Sequence, residues 1–199
     1  VEGVDYSVKN GLAVVEVSMS LPVVGAAYQL RYTVNGSGKI QVEAFYKPEK
    51  EKIPLMPKFG MRMRLPSFMD YVKWYGRGEF ENYPDRKTAA LVGCYATDLN
   101  SFVTDYAFPQ DNANRCDVRW FSLNDKEGRT IKVWPYGEED LEKNRHAYEL
   151  PVRDYVNVNI DLNIHGVGGA DSWGARTLDE YTIDGNQAYY YGYLMEYSD

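Results

Sequence analysis

The sequence predicts an all-β chain folded as a large antiparallel β-sandwich, and three observations predict it. Apolar and polar residues alternate with a period of two over many short runs, glycine-bearing turns separate those runs, and helical periodicity is scarce. The aromatic content points the same way: 18 Tyr, 7 Phe and 4 Trp stand among 199 residues. Tyrosine buries an apolar body while keeping a polar tip, which suits sheets, interfaces and sugar sites better than helical bundles.

The strands follow in order. Leu12–Ser20 sets Ala13, Val15, Val17 and Met19 on one face against Leu12, Val14, Glu16 and Ser18 on the other. Tyr28–Val34 keeps Tyr28, Leu30, Tyr32 and Val34 in phase, Asn35-Gly36-Ser37-Gly38 supplies a hairpin turn, and Lys39–Tyr46 returns. Lys47–Lys58, rich in Lys and Pro, reads as an exposed loop. Phe59–Leu65 and Tyr71–Tyr75 resume the alternation, and Phe102–Phe108, Asp117–Leu123 and Arg129–Trp134 are further strands. Tyr155–Ile164 alternates most cleanly, with Val156, Val158, Ile160, Leu162 and Ile164 opposite Asn157, Asn159, Asp161 and Asn163. That second face is expected to meet water or another domain. Ala188–Tyr197 places Tyr189, Tyr191, Tyr193 and Tyr197 together. Glu138–Asn144 is the helix candidate, acidic at its start and basic near its end, and Asp85 is placed to cap a short turn through Leu91. No composition break, repeat or low-complexity tract divides the chain, so residues 1–199 are expected to form a single sandwich segment.

Charge and composition exclude several functions. The 29 acidic residues outnumber 22 basic ones, a net charge of −7 without the basic footprint of a nucleic-acid binder. No stretch approaches the roughly 20 apolar residues of a membrane span. Cys94 and Cys116 form no zinc motif and are expected to be buried free thiols. The opening Val1-Glu2-Gly3-Val4-Asp5, without Met or signal peptide, reads as the start of a segment cut from a longer chain.

Candidate chemistry is sparse. His146 sits in a charged stretch and reads as solvated; His165, with Asp161 and Asp171 near it in sequence, reads as a loop histidine bonded to backbone rather than a metal ligand. Glu79 with Glu81, or Glu138 with Glu139, supply adjacent acids, but a glycosidase pair is set by a gap of about 5–9 Å across a sugar site; such neighbours read as solvated surface. No nucleophile elbow, phosphate loop or metalloprotease helix is present. The residues alone give a β domain with no catalytic centre.

Two loops rise above that background. Trp74–Arg86 has glycines, Pro84 for rigidity, and Arg86 placed to pair with Asp85 or Glu81. His165–Gly174 flanks a single large aromatic, Trp173, with glycines; the indole is either a plug for the sandwich end or a flat face for a sugar ring.

Glu81-Asn82-Tyr83-Pro84-Asp85-Arg86, then Asn114-Arg115-Cys116, then Gly166-Val167-Gly168-Gly169-Ala170-Asp171-Ser172-Trp173 occur in that order. In these motifs the chain resembles the C-terminal module, or small chain, of bacterial β-galactosidases in glycoside hydrolase family 2. The similarity runs through nearly the whole chain, which looks like the later two-thirds of the module without its first strands. The resemblance implies a galactose mutarotase-like sandwich. It also implies that both catalytic glutamates lie on a separate (β/α)₈ barrel, so that no residue of this chain is catalytic. Trp173 would be the platform for the aglycone sugar, glucose when lactose is the substrate, with Gly168, Gly169, Asp171 and Ser172 as the supporting loop. Magnesium and sodium would be bound by the parent enzyme outside this segment, which itself needs no metal or cofactor. Its partners would be the barrel and other domains of a homo-oligomeric parent, and a weakly held galactoside. Some relatives carry a second Asp where this chain has Ala170; if that Asp braces the loop, Trp173 is expected to sit differently here.

Two other readings compete. An independent carbohydrate-binding module would need coplanar exposed aromatics, for which Tyr189, Tyr191 and Tyr193 are available, although such a stripe more often packs inward. An aldose epimerase would need a positioned acid and base, typically His with Glu, and the two histidines sit in unlike settings.

Overall fold

Alternation becomes ladder pairing in the computed structural model, which describes residues 1–106, 113–124, 133–134, 153–169, 171 and 173–196. The described strands pair antiparallel throughout and close into no barrel, the all-β sandwich class that the alternation predicts. The chain divides into two compact units, Val1–Pro57 with Ile183–Ser198, and Lys58–Thr182.

The first unit is a five-stranded sheet in the order β1-β2-β3-β4-β11, from β1 (Gly3–Lys9), β2 (Leu12–Leu21), β3 (Ala26–Asn35), β4 (Ile40–Pro48) and β11 (Tyr189–Met195). The β3–β4 turn is the expected hairpin. Asn35 Oδ1 accepts from the Ser37 and Lys39 amides, each at 3.0 Å, and Gly38 takes a φ of +80° that favours glycine. Burial rises across the sheet. Val4, Tyr6 and Val8 on the edge strand are exposed, whereas Val42, Ala44 and Tyr46 on β4 are buried. Opposite them, Tyr191 is 7% exposed, and Tyr189 and Tyr193 are half-buried with Tyr191 and Tyr193 rings stacked at 6.2 Å. The tyrosine stripe therefore packs and offers no open platform. Ile53, expected in an exposed loop, is buried, and Asn186 holds its backbone through Oδ1 and Nδ2.

The second unit carries two three-stranded sheets. One runs β5-β10-β9, from β5 (Lys58–Pro66), β10 (Tyr155–Ile164) and β9 (Val133–Trp134); the other runs β7-β6-β8, from β7 (Val92–Asp98), β6 (Tyr71–Arg77) and β8 (Trp120–Asn124). β10 matches its expected span, but its register slips between Asp161 and Asn163, leaving Leu162 as the extra residue and 45% exposed. Gly60 pairs with Asp161, and a Cβ there would stand 2.1 Å from Asp161 Oδ1, so the bulge needs a residue without a side chain. The asparagine face does not meet water at its first half: Asn157 is 1% and Asn159 5% exposed.

Other expectations change as well. Phe102 ends a short helix, α1 (Leu99–Phe102), capped by Asp98 accepting from the Ser101 amide, so no strand starts there. Asp85 caps no helical turn; residues 83–86 form a tight turn instead. Both cysteines are free, but Cys94 is exposed and Cys116 half-buried, where two buried thiols were expected. Glu138–Asn144, His146 and Tyr197 lie outside the described residues, as does most of Arg129–Trp134. Among the described residues no helix is long and apolar enough to cross a membrane.

Leu123, wholly buried on β8, anchors the second unit. Leu123→Ala is expected to cost about 2–5 kcal/mol in urea unfolding, and Leu162→Ala on the exposed bulge about 1 kcal/mol or less. Equal shifts in the unfolding midpoints would show that the core does not centre there.

Candidate functional site

β6 ends at Arg77, and the chain beyond it has no ladder to satisfy its backbone. Arg77 donates to the Lys87 and Ala90 carbonyls at 3.1 and 2.9 Å and to Asp117 Oδ2 at 2.5 Å. Lys87 Nζ reaches the same carboxylate at 2.9 Å. Asn82, fully buried, accepts the Cys116 amide at 2.8 Å through Oδ1 and donates through Nδ2 to the Phe80 carbonyl at 3.0 Å. Its own amide donates to the Asn114 carbonyl at 2.9 Å. The Glu81–Arg86 and Asn114–Cys116 motifs, 32 residues apart at Asn82 and Asn114, are thus one hydrogen-bonded unit.

Glu81 is not solvated. It is 6% exposed, and Oε1 accepts from Arg86 Nη2 at 2.5 Å and from the Tyr106 hydroxyl. Arg86 therefore pairs with Glu81 rather than Asp85. Arg115 is also buried, donating to the Glu79 and Phe102 carbonyls at 2.8 and 3.2 Å with its guanidinium 4.1 Å from the Phe102 ring centroid. Burial pushes its pKa down to about 10 despite the nearby Glu81 charge, so it stays cationic.

Pro84 follows Tyr83 in a turn closed by Arg86 N–H donating to the Tyr83 carbonyl at 2.8 Å, which leaves the Asp85 side chain outside the Glu81 pair. Asp85 reaches a segment more than 80 residues away. Oδ1 accepts the Val167 amide at 3.1 Å; Oδ2 accepts the Gly168 amide at 2.8 Å and the Thr177 hydroxyl at 2.8 Å. A Cβ on Gly166 would stand 2.6 Å from the Asp85 carboxyl carbon, and Gly168 has a φ of +72°. Glycine at these two positions lets the loop lie down on the carboxylate.

From that base the loop rises to Trp173, which is 93% exposed. Asp171 Oδ1 accepts the Trp173 and Ala175 amides at 2.8 and 3.2 Å, which holds the tip. Gly169 and Gly174 have φ of +89° and +85°, with open space around them. Of the predicted supporting residues, Gly168 binds the Asp85 carboxylate, Gly169 links base to tip, Asp171 closes the tip, and Ser172 lies outside the described residues. The indole is not a plug within its own unit. His165 is the expected loop histidine, its Nδ1 donating to the Gly166 carbonyl at 2.5 Å. Asp85 and Thr177 were not foreseen as loop anchors; nothing local in sequence marks a contact across 92 residues.

Sheet and loop together define an all-β module that carries an exposed aromatic on a braced loop. The chain belongs to the β-galactosidase small chain family, which it matches over residues 2–195. It is 34% identical over 186 residues to a β-galactosidase of Priestia megaterium, covering 88% of this chain and 18% of that protein. It is 32% identical over 196 residues to one from Lactobacillus delbrueckii subsp. bulgaricus (93% and 19%), and 36% over 166 residues to one from Pseudoalteromonas haloplanktis (81% and 16%). The chain spans less than a fifth of the length of these relatives.

Burial alone would push the Asp85 carboxyl up, but the hydrogen bonds from Gly168, Thr177 and Val167 outweigh it and leave it below the usual aspartate value of 3.8. A lowered folded pKa gives stability that is full above the ordinary value and is lost as pH falls through the lowered one. Protection of the Val167 and Gly168 amides against hydrogen exchange is therefore expected to persist down to the ordinary carboxylate range and to fail below it. Failure already well above that range would mean the carboxylate is not their acceptor.

Proposed function

We propose that this chain is a non-catalytic segment of a β-galactosidase, contributing the aglycone-site indole Trp173 and interdomain packing to an enzyme that hydrolyses terminal β-D-galactosides such as lactose. The observation that carries this reading is the 93% exposure of Trp173 on a loop hydrogen-bonded at both base and tip. A pyranose has an apolar C–H face and polar edges, and an indole offers a rigid flat surface with one N–H donor. Stacking holds such a ring without demanding one hydroxyl pattern, which suits leaving sugars that vary.

Catalysis is assigned to two glutamates on another domain of the parent, acting as acid/base and nucleophile in a retaining mechanism. Two features support leaving this segment out of the chemistry. Glu81 is already engaged by Arg86 and Tyr106, and Glu79 lies exposed beside it.

Burying half an indole face, about 60 Å² at about 25 cal/mol/Å², contributes on the order of 1.5 kcal/mol. In the full-length enzyme, Trp173→Ala is expected to weaken glucose as aglycone or acceptor about tenfold, measured as its inhibition constant. The 199-residue chain alone is expected to cleave no galactoside and to bind lactose weakly in calorimetry. Hydrolysis by the isolated segment, or tight lactose binding by it, would defeat the proposal.

A further inference from the structure

We infer that Asp85 is a positioning residue for the aglycone contact: its carboxylate fixes the base of the Trp173 loop and so sets how the indole meets an acceptor sugar. The inference rests on the assignment of Trp173 to that contact and extends it to a residue far away in sequence.

The geometry calls for a carboxylate at this place. All three partners of Asp85 donate: two backbone N–H groups and one hydroxyl. Both carboxylate oxygens are used, Oδ1 by Val167 and Oδ2 by Gly168 and Thr177. An asparagine of the same shape replaces one acceptor with an NH₂ group, which faces a donor and cannot bond it. The approach is close enough to exclude a side chain on the loop, because a Cβ on Gly166 would stand 2.6 Å from the Asp85 carboxyl carbon. The acid is delivered by a packed support. Tyr83 and Asn82 before it are buried, and Arg86 after it is paired to buried Glu81. Thr177, 6% exposed, returns the far end of the loop to the same oxygen that holds Gly168. One carboxylate thus ties both legs of the loop together, and Asp171 separately shapes the tip.

The clamp can be broken from either side, by Asp85→Asn or by Gly166→Ala, which pushes the loop off an intact carboxylate. Both variants are made in the full-length β-galactosidase, beside Trp173→Ala. The kinetic readout is the ratio of galactosyl transfer to added glucose over transfer to water, which does not depend on how much enzyme is folded. Peptide-resolved hydrogen exchange over residues 165–177 reads the loop itself. Trp173→Ala is expected to lower the ratio about tenfold. Both clamp variants are expected to lower it about three- to tenfold, the size of one or two lost hydrogen bonds, and to speed exchange at Val167 and Gly168. A ratio that responds to Trp173→Ala but to neither clamp variant overturns the inference alone, as does unchanged exchange in Asp85→Asn. A ratio indifferent to Trp173→Ala overturns the assignment of the indole, and the inference with it.

Discussion

Buried backbone that belongs to no ladder must still find partners for its N–H and C=O groups, and the second unit turns on how this is met after β6. Side chains do the work that a neighbouring strand would do. Asn82 satisfies two stretches of chain at once, bonding the Phe80 carbonyl and the Cys116 amide while its own main chain is bonded by Asn114. Arg77 and Arg115 take up further carbonyls, and their charges are answered differently: Arg77 by Asp117 at 2.5 Å, Arg115 by aromatic faces and the field of Glu81. Leaving a buried donor or acceptor unmet costs about 1–3 kcal/mol, so removing Asn82 would strand several groups together. Because this knot is rigid, Asp85 next to it can act as a fixed point for something else.

The two tasks of rigidity and presentation are thereby divided within the second unit. Strands β5, β6, β8 and β10 bury Phe59, Val72, Trp74, Leu123 and Val158, and fix the frame. Between the buried Gly166 and Thr177, the described residues of the loop are exposed or half-buried, and its largest side chain stands in the open. The loop is ordered by directed hydrogen bonds to Asp85 and Asp171 rather than by packing. Such order is specific in direction, and it depends on two carboxylates remaining charged. Hydrogen bonds hold the Asp171 carboxyl low as well, chiefly those from the Trp173 and Ala175 amides.

Strands are legible in the sequence wherever apolar and polar residues alternate, as in β2, β3, β5 and β10. Elsewhere other constraints decide. Gly3–Lys9 alternates Val4, Tyr6 and Val8 against Asp5, Ser7 and Lys9, and as the exposed edge strand its place is set by pairing with β2. Val92–Asp98 escaped because Gly93, Cys94 and Ala96 carry little β signal; its place is set by pairing with β6. Phe102 went to a helix because Asp98 caps one there, a local bond that outcompeted the strand preference of the aromatic. The face of Asn157 and Asn159, expected to meet water or another domain, is buried within its own unit, which is a tertiary fact. At the candidate site, the motifs single out the Trp74–Arg86 and His165–Gly174 loops and Trp173. That one carboxylate joins them was out of reach, since Asp85 and Thr177 meet only after the sheets have formed.

The strength of a single stacking contact explains why so much structure stands behind one indole. About 1.5 kcal/mol is all that half a face supplies, whereas fixing the backbone of one loop residue costs about 1–2 kcal/mol. A loop that became ordered only when sugar arrived would consume the whole gain within a residue or two. The contact contributes to binding only if the ordering has been done beforehand, during folding. Glycines at 166, 168, 169 and 174 make the path possible but raise that entropic cost further, because they are the freest residues in the unfolded chain. Carboxylates that accept two or three hydrogen bonds apiece are a compact way to offset it without apolar burial, and they leave the indole uncovered for a ligand.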